Sequence, residues 1–277
     1  MAGDVKAKLT IVVLNYMNYM ETFNCVESIL PQEKVNFDIV IVDNGSGNES
    51  YSSLKKKYRD IDKIYILKAG KNYGFAKGNN IGINYARKKL GADYVLLLNS
   101  DTILLGNDYL YQMMLADRKN VGVIGSKIIE RNGQERPENE GYVDFPATLY
   151  YYLYLLCNDW GWIKSAQLYK KKVKRYKTKK YLSGCNLLLT PQYLDIYDGL
   201  YDKTFLYSEE KILLIRCKMA GLEMVKTEQA ALKHIGMQST KYLFGNRNSM
   251  IERNMRISYK YVVLNSLISI FVNLMKR

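Results

Sequence analysis

A short polar segment follows an apolar run near residue 100. Asn99, Ser100 and Asp101 come directly after YVLLL, which ends at Leu98. A carboxylate at the end of a buried strand can bind Mg²⁺ or Mn²⁺, and the ion in turn neutralises a diphosphate. The same three residue types are also common in turns. Their position directly after an apolar run favours a metal site that contains Asp101.

A glycine-rich segment lies upstream of this acid. Residues 72–80 read NYGFAKGNN. Glycines let backbone N–H groups approach a phosphate closely, and Lys77 would add a positive charge. The spacing fits neither a Walker A loop nor the dinucleotide-binding fingerprint. As a bare pattern, the segment is therefore only a candidate phosphate-binding loop.

Two acids and one histidine complete the candidates. Glu209 and Glu210 precede an amphipathic run that ends at Gly221. Adjacent acids at a helix start are often favoured by the helix dipole, yet either could be a general base that takes a proton from a hydroxyl. His234 is the single histidine, either structural or a neutral ligand for Mn²⁺. A single histidine excludes sites that need two, such as HExxH proteases.

Strands and helices that alternate must position these residues. The hydrophobic pattern predicts four strands, at residues 8–14, 37–42, 63–67 and 93–98, and three helices between them, at 20–30, 51–58 and 79–90. This alternation predicts an α/β fold with a mostly parallel sheet flanked by helices. Ligands bind such sheets at the carboxyl ends of the strands. The polar residues expected at that edge are Asn15, Asp43, Asn72 and Asn99 to Asp101, and we predict that they line one nucleotide-sized crevice.

Basic and aromatic residues dominate the chain after residue 140. Residues 170–180 read KKKVKRYKTKK, in which eight of eleven positions are Lys or Arg. This run is either a solvated surface loop or a segment attracted to anionic lipid head groups or to a lipid-linked pyrophosphate. An apolar strand-like pattern returns at residues 181–189. The formal net charge of +14 favours acidic partners in general.

The C-terminal pattern predicts an amphipathic helix over residues 261–275. Its apolar face would comprise Leu264, Leu267, Ile268, Phe271 and Met275. Polar residues interrupt this face too often for a membrane span, so we expect the helix to lie in a membrane interface or to pack against a second subunit, as in a homodimer. No secretory signal and no long apolar run is visible, and the four cysteines form no CxxC pair. We therefore expect a cytoplasmic protein, peripheral on the inner face of the cell membrane.

The motifs, taken in order, resemble one family. TIVVLNY, IVIVDNGS, NYGFAKGNNIGI, YVLLLNSDT, SGCNLLL and FLYSEE, followed by Arg216 and His234, resemble the inverting family 2 glycosyltransferases of GT-A fold. The closest likeness is to the rhamnosyltransferase-like branch of bacterial surface polysaccharide synthesis. The resemblance implies a Rossmann-like GT-A domain over residues 1–240, with a nucleotide-sugar half (1–105), an acceptor half (106–240) and a C-terminal helical extension (241–277).

The resemblance also assigns binding roles. It implies nucleotide-sugar contacts from Asn15, Asp43, Asn72, Gly74, Lys77, Asn79 and Asn99. Asp101 matches the metal-binding aspartate of the family's DxD motif, and Asn99 stands at the first position of that motif. Affinity for Mn²⁺ or Mg²⁺ would therefore depend mainly on Asp101 and His234.

The same resemblance implies an inverting transfer with Glu210 as the base. Glu210 stands where the branch has its catalytic aspartate, Glu209 is the second candidate, and Ile212 replaces a further acid that is usual there. The implied donor is a UDP-hexose or dTDP-rhamnose, and the implied acceptor is a hydroxyl of a lipid-linked molecule or an oligosaccharide. The implied pathway is the assembly of capsule, exopolysaccharide or cell-wall polysaccharide.

Two other function classes compete with this one. The high positive charge and the 25 tyrosines would suit a nucleic-acid-binding protein. The lysines cluster in one run, however, and no RNP-like or helix-turn-helix pattern is present, so we expect no nucleic-acid partner. The unusual Glu-Glu-Lys-Ile segment would also suit a catalytically silent homologue that only binds.

Overall fold

The computed structural model describes residues 7–236 and 248–276. The first part of the chain forms β1 (Leu9–Asn15), α1 (Tyr19–Ile29), β2 (Phe37–Asp43), α2 (Ser50–Tyr58), β3 (Ile64–Lys68), α3 (Gly74–Tyr85), β4 (Tyr94–Asn99) and β5 (Thr102–Leu104). The second part forms α4 (Tyr109–Leu115), β6 (Val121–Glu130), β7 (Asn139–Gly141), α5 (Ala147–Asp159), α6 (Ile163–Val173), β8 (Lys179–Tyr181), β9 (Asn186–Leu189), α7 (Pro191–Leu194), α8 (Glu209–Ala220), β10 (Glu223–His234) and α9 (Asn248–Met275).

Eight strands form one sheet in the order β3-β2-β1-β4-β9-β6-β10-β5. Neighbouring strands run parallel except at β9, which is antiparallel to β4 and β6, and at β5, which is antiparallel to β10. β7 and β8 form a separate antiparallel pair. The predicted α/β fold with a mostly parallel sheet is confirmed, and all four predicted strands are present. The proposed domain boundary at residue 240 lies outside the described residues.

The central strands are buried on both faces, as their β-branched composition requires. Ile11 and Val13 pack on one face with Val26 of α1. Val12 points to the other face and packs with Ile83 of α3. Each such burial contributes about 1.5–3 kcal/mol relative to an exposed side chain. This double layer fixes the carboxyl ends of β1, β2 and β4 at one edge.

The glycine-rich segment is the first turn of a helix and not a loop. The predicted helix at 79–90 instead begins at Gly74 and continues through a π-helical turn over Ala86–Leu90. Gly74 has a φ of +81°, and a Cβ there would lie 2.0 Å from the carbonyl oxygen of Phe205. The N–H of Phe75 donates to that same oxygen at 2.8 Å. Glycine at this position therefore allows α3 to start against the 205–206 segment.

The lysine-rich run is only partly a loop. Lys170 to Lys172 form the last turn of α6, and Lys179 and Lys180 belong to β8. The ammonium groups of Lys170 and Lys172 lie over the rings of Tyr154 and Tyr150, so their alkyl stems have aromatic partners. The strand-like pattern at 181–189 is likewise divided between β8 and β9, which belong to different sheets.

Helix α9 packs against α5 and α8 along one side. The side facing the protein carries polar groups: Ser266 bonds to Thr148, and Ser258 donates to the carbonyl of Leu206. The outward side is apolar, with Phe271 58% exposed. Its segment Glu252–Met275 is long and apolar enough to cross a membrane by length and composition. This differs from our prediction that polar residues interrupt the helix too often for a membrane span. The apolar residues between them keep the mean hydropathy of the segment high.

Candidate functional site

An open crevice lies at the carboxyl ends of β1, β2 and β4. Its cavity volume is about 120 Å³, and it opens into solvent. Asn44, Asn72 and Asn99 contribute polar groups to its lining, and Tyr16 and Phe205 contribute aromatic ones. Amide groups between aromatic rings can bind the base and ribose of a nucleotide.

Asn15 and Asp43 form a buried floor behind the lining residues and do not themselves line the crevice, contrary to our prediction. The Asn15 amide donates to Asp43 Oδ1 at 2.8 Å and accepts from the Thr22 hydroxyl at 2.8 Å. Asp43 Oδ2 accepts from the N–H of Ser46 at 3.3 Å. Both side chains are fully buried. In this arrangement they fix the ends of β1 and β2 relative to one another.

Asn44 holds the glycine-rich segment against this floor. Its Nδ2 donates to Asn72 Oδ1 and to the carbonyl of Gly74, both at 3.1 Å. Its Oδ1 accepts from the N–H of Tyr73 at 3.1 Å. Sequence reasoning missed Asn44, although it directly follows Asp43 in the same turn motif.

Two further predicted contacts, Lys77 and Asn79, do not line the crevice either. Lys77 is exposed on the first turn of α3. Asn79 is buried, and its amide donates to the carbonyl of Phe75 at 3.0 Å. Because Gly74–Tyr85 is helical, the two side chains do not have the positions that a phosphate-binding loop would give them. Their contact with a nucleotide sugar stays a prediction.

Asp101 and His234 lie side by side at the same edge. Strand β5 pairs with β10, so that His234 is opposite Thr102, and the N–H of Ile235 donates to the Asp101 carbonyl at 2.9 Å. Asp101 Oδ1 is 3.4 Å from His234 Nε2, and both side chains are nearly buried. This separation fits two neighbouring ligands of one divalent cation, with a carboxylate oxygen and an imidazole nitrogen as donors.

The protein supplies few further ligands for such an ion. Within residues 7–236 and 248–276, no group of three or more His, Cys, Asp or Glu side chains could hold a metal. Asp101 and His234 therefore fit an ion whose remaining ligands come from a diphosphate and water.

Arg136 and Glu130 surround the second nitrogen of the histidine. Arg136 Nη2 donates to His234 Nδ1 at 2.9 Å, and Arg136 also pairs with Glu130. Arginine can only donate, so Nδ1 accepts here and Nε2 carries the ring proton toward Asp101. Once Nε2 binds a metal, the ring proton would lie on Nδ1, so Arg136 would have to release this nitrogen and Glu130 Oε2, 3.9 Å away, would accept from Nδ1–H instead. Sequence reasoning missed both residues, because no local motif marks them.

Glu210 lies at the start of α8 with a defined orientation. Its Oε1 accepts from the N–H of Gly184 at 3.1 Å. A Cβ at Gly184 would lie 2.7 Å from that oxygen, so glycine permits this approach. Tyr207 and Ser208, just before the helix, both have φ values in the left-handed region, which is costly for non-glycine residues and typical of functional sites.

Glu209 is the more deeply buried acid of the pair. Its Oε1 has no hydrogen-bond partner among the described residues. Burial raises the pKa of Glu209 to about 8, and the negative charge of Glu210 adds to this effect. The Glu209 carboxyl is therefore mostly protonated at neutral pH, which makes it a poor base there.

A continuous set of contacts joins the two chemical groups. Its members, in order, are Asp101, His234, Arg136, Ser183, Gly184 and Glu210. The structure thus brings the predicted metal ligands and the predicted base to one edge of the sheet.

Comparisons with known proteins identify the family of this chain. Glycosyl transferase family 2 matches residues 10–188. The low-salt glycan biosynthesis hexosyltransferase Agl10 of Haloferax volcanii is 29% identical over 136 residues, which cover 48% of this chain and 41% of that protein. The dTDP-rhamnosyl transferase RfbF of Shigella flexneri is 29% identical over 122 residues, 44% of this chain and 38% of that protein. The matched regions thus span about two fifths of the length of these curated relatives.

Solved structures share the fold at low sequence identity. GalNAc-T7, solved with UDP, GalNAc and Mn²⁺, superposes with a TM-score of 0.60 at 10% identity, covering 86% of this chain and 45% of that one. The mannosyltransferase PcManGT of Pyrobaculum calidifontis, solved with GDP-Man and Mn²⁺, gives 0.56 at 11% identity, covering 94% and 73%. The family match spans well over half of the chain, and the chain therefore belongs to glycosyl transferase family 2.

Proposed function

We propose that this protein transfers a sugar from a nucleoside diphosphate sugar to an acceptor hydroxyl, with inversion at the anomeric carbon. The observation that carries the proposal is the placement of the crevice, the Asp101–His234 pair and Glu210 at one edge of the sheet. The donor is a UDP-hexose or dTDP-rhamnose, consistent with the names of the two relatives. The acceptor is lipid-linked or an oligosaccharide in surface polysaccharide assembly.

Each group at this edge has a proposed role in the reaction. Asn72 and Asn99 line the crevice where the nucleotide would lie, and Asn44 holds Asn72 in place. Asp101 and His234 would hold Mn²⁺ or Mg²⁺, which when bound neutralises the charge of the diphosphate leaving group. Glu210 takes the proton of the acceptor hydroxyl as that oxygen attacks the anomeric carbon from the face opposite the diphosphate. One displacement of this kind inverts the configuration.

Nucleotide binding gives the first test. Thermal unfolding is measured with UDP, dTDP, GDP and CDP, each with and without Mn²⁺. One diphosphate should raise Tm by several degrees only when Mn²⁺ is present, because a ligand at a hundred times its Kd adds about 2.7 kcal/mol. If no diphosphate raises Tm under either condition, the transferase proposal fails and a basic binding protein or a silent homologue becomes the better explanation.

We also propose that the protein lies on an anionic membrane surface in the cytoplasm. The outward face of α9 is apolar, and Trp160 and Trp162 at the α5–α6 turn are more than half exposed. The basic residues at the end of α6 are exposed as well. Apolar and aromatic groups that enter an interface, next to lysines that bind anionic head groups, are typical of peripheral membrane proteins.

Vesicle sedimentation tests this placement. The protein should sediment with phosphatidylcholine vesicles that contain phosphatidylglycerol, and much less with phosphatidylcholine alone. Replacing Lys170, Lys171 and Lys172 by Gln should weaken binding at least tenfold, at about 1 kcal/mol per basic residue.

The matched control replaces Lys55, Lys56 and Lys57 on α2, with the same loss of charge. Equal losses in the two triple variants would show that net charge, and not this surface, attracts the protein. If the protein forms a stable dimer and does not bind vesicles, the apolar face of α9 contacts a second subunit instead.

A further inference from the structure

The ammonium group of Lys211 has no ionic partner in the part of the chain that the structure describes. Lys211 follows Glu210 in the first turn of α8. Its Nζ lies 5.7 Å from the ring centre of Tyr181 and 5.1 Å from that of Tyr259. No carboxylate approaches it within salt-bridge distance in residues 7–236 and 248–276. The side chain is partly buried yet still reachable from solvent.

Such an ammonium group is costly unless something compensates it. Burial lowers the pKa of Lys211, while the charge of Glu210 opposes that shift. Two aromatic faces compensate a cation only in part. A partly desolvated cation without a counter-ion fits a site that receives an anionic group from a ligand.

Lys211 lies against a cluster of packed tyrosines. Tyr151 contacts both Tyr142 and Tyr259, with ring centres 5.7 Å and 4.9 Å apart, and the Tyr259 hydroxyl donates to the Tyr142 carbonyl. A Cβ at Gly141 would lie 2.8 Å from Lys211 Cε, so a glycine in β7 makes room for the lysine stem. Tyr259 belongs to the core and is 2% exposed, so the lysine stem lies against packed rings and its position is restricted.

The position of Lys211 assigns it to the acceptor and not to the donor. Lys211 does not line the crevice at β1, β2 and β4, and the donor diphosphate already has Asp101 and His234. Glu210, the adjacent residue, is the group that would take the proton of the acceptor hydroxyl. An anion on Lys211 would therefore belong to the molecule whose hydroxyl reaches Glu210.

We infer that the acceptor carries an anionic group, phosphate or carboxylate, close to its reacting hydroxyl, and that Lys211 binds this group. The inference rests on the proposed function, because it uses Glu210 as the base. It makes Lys211 a specificity residue that selects charged acceptors over neutral ones.

Acceptor competition tests the inference. Three acceptors that differ in charge are compared: an alkyl glycoside, the alkyl glycuronide in which C6 of that sugar is a carboxylate, and the parent sugar linked to an alkyl pyrophosphate. The protein should prefer at least one charged acceptor in kcat/KM, and Lys211→Met, which keeps the stem, should reduce that preference about tenfold or more. Lys211→Arg should retain part of it. Lys218→Met, on the exposed side of the same helix, should leave the preference unchanged. Comparing the glycuronide with the pyrophosphate-linked sugar shows whether Lys211 prefers a carboxylate or a phosphate.

A binding measurement keeps this test independent of turnover. The same three acceptors are titrated while tyrosine fluorescence is followed. Tighter binding of a charged acceptor that Lys211→Met abolishes supports the inference, even when no transfer or donor hydrolysis is detected; the latter result would count against the proposed function alone. Equal affinity for charged and neutral acceptors, or an equal loss for all three in Lys211→Met, would overturn the inference.

Discussion

Replacing Glu210 by Gln should reduce kcat for sugar transfer by about a hundredfold to ten-thousandfold, the usual contribution of a general base. Glutamine keeps the size of the side chain and can still accept the N–H of Gly184 through its amide oxygen. It cannot take up a proton from the acceptor hydroxyl. The measurement is steady-state transfer with saturating donor and acceptor, accompanied by the nucleotide-dependent Tm shift, which should persist because Glu210 lies outside the crevice.

Glu209→Gln is the matched control for this prediction. The pKa of Glu209 is raised to about 8, chiefly by burial, so its carboxyl is protonated below that pH and resembles a neutral amide. Below pH 8 the substitution should therefore cost far less activity than Glu210→Gln. The opposite ranking, with Glu209→Gln inactive and Glu210→Gln active, would move the base to Glu209 and remove the role given to Glu210.

The sheet and its edge could be predicted from the sequence, because they depend on local patterns. Uninterrupted β-branched runs have few alternatives to buried parallel strands. Polar residues that end such runs must meet at one edge, and Asn15 and Asp43 meet there at the ends of β1 and β2, although neither they nor Asp101 line the crevice. The pairing of Asp101 with His234 required the resemblance, because the two residues are far apart in sequence and meet only through β5 and β10.

Other features depend on tertiary contacts that no local pattern records. Arg136 contacts His234 and Glu130 across a long separation in sequence, so its role was invisible. The start of α3 at Gly74 depends on the carbonyl of Phe205, and glycine-rich composition alone suggested a loop. Lys170 and Lys172 lie in the last turn of α6, with their ammonium groups over the rings of Tyr154 and Tyr150. In each case packing decided between structures that the local sequence left open.

The same contacts connect the proposed metal ligands to the proposed base. Ser183 accepts from Arg136, and the next residue, Gly184, donates to Glu210. The loop at 183–184 therefore contacts both Arg136, which lies beside His234, and Glu210. Under the proposed function, a shift of this loop would change the position of the base relative to the leaving group.

Replacing Asp101 by Ala should abolish the Mn²⁺-dependent part of the nucleotide Tm shift. Asp101 and His234 are the two side chains that would bind the cation. Without the Asp101 carboxylate, only the His234 imidazole remains, and the negative charge that attracts the cation is lost. A metal-assisted shift worth about 2.7 kcal/mol at a hundred times Kd would then fall to that of the nucleotide alone. His234→Ala should weaken the Mn²⁺ dependence less, because the carboxylate remains.

Two comparisons separate loss of metal from loss of structure in this prediction. Asp101→Asn keeps the size of the side chain and should lose the Mn²⁺ dependence while its Tm without ligand stays close to that of the parent. Asp60→Ala removes an exposed carboxylate that pairs only with Arg59 and should retain the full shift. If Asp101→Ala still shows the complete Mn²⁺-dependent shift, the cation binds elsewhere. The pairing of Asp101 with His234 would then be a structural contact that closes the end of β10 against β5, and the diphosphate would need another source of positive charge.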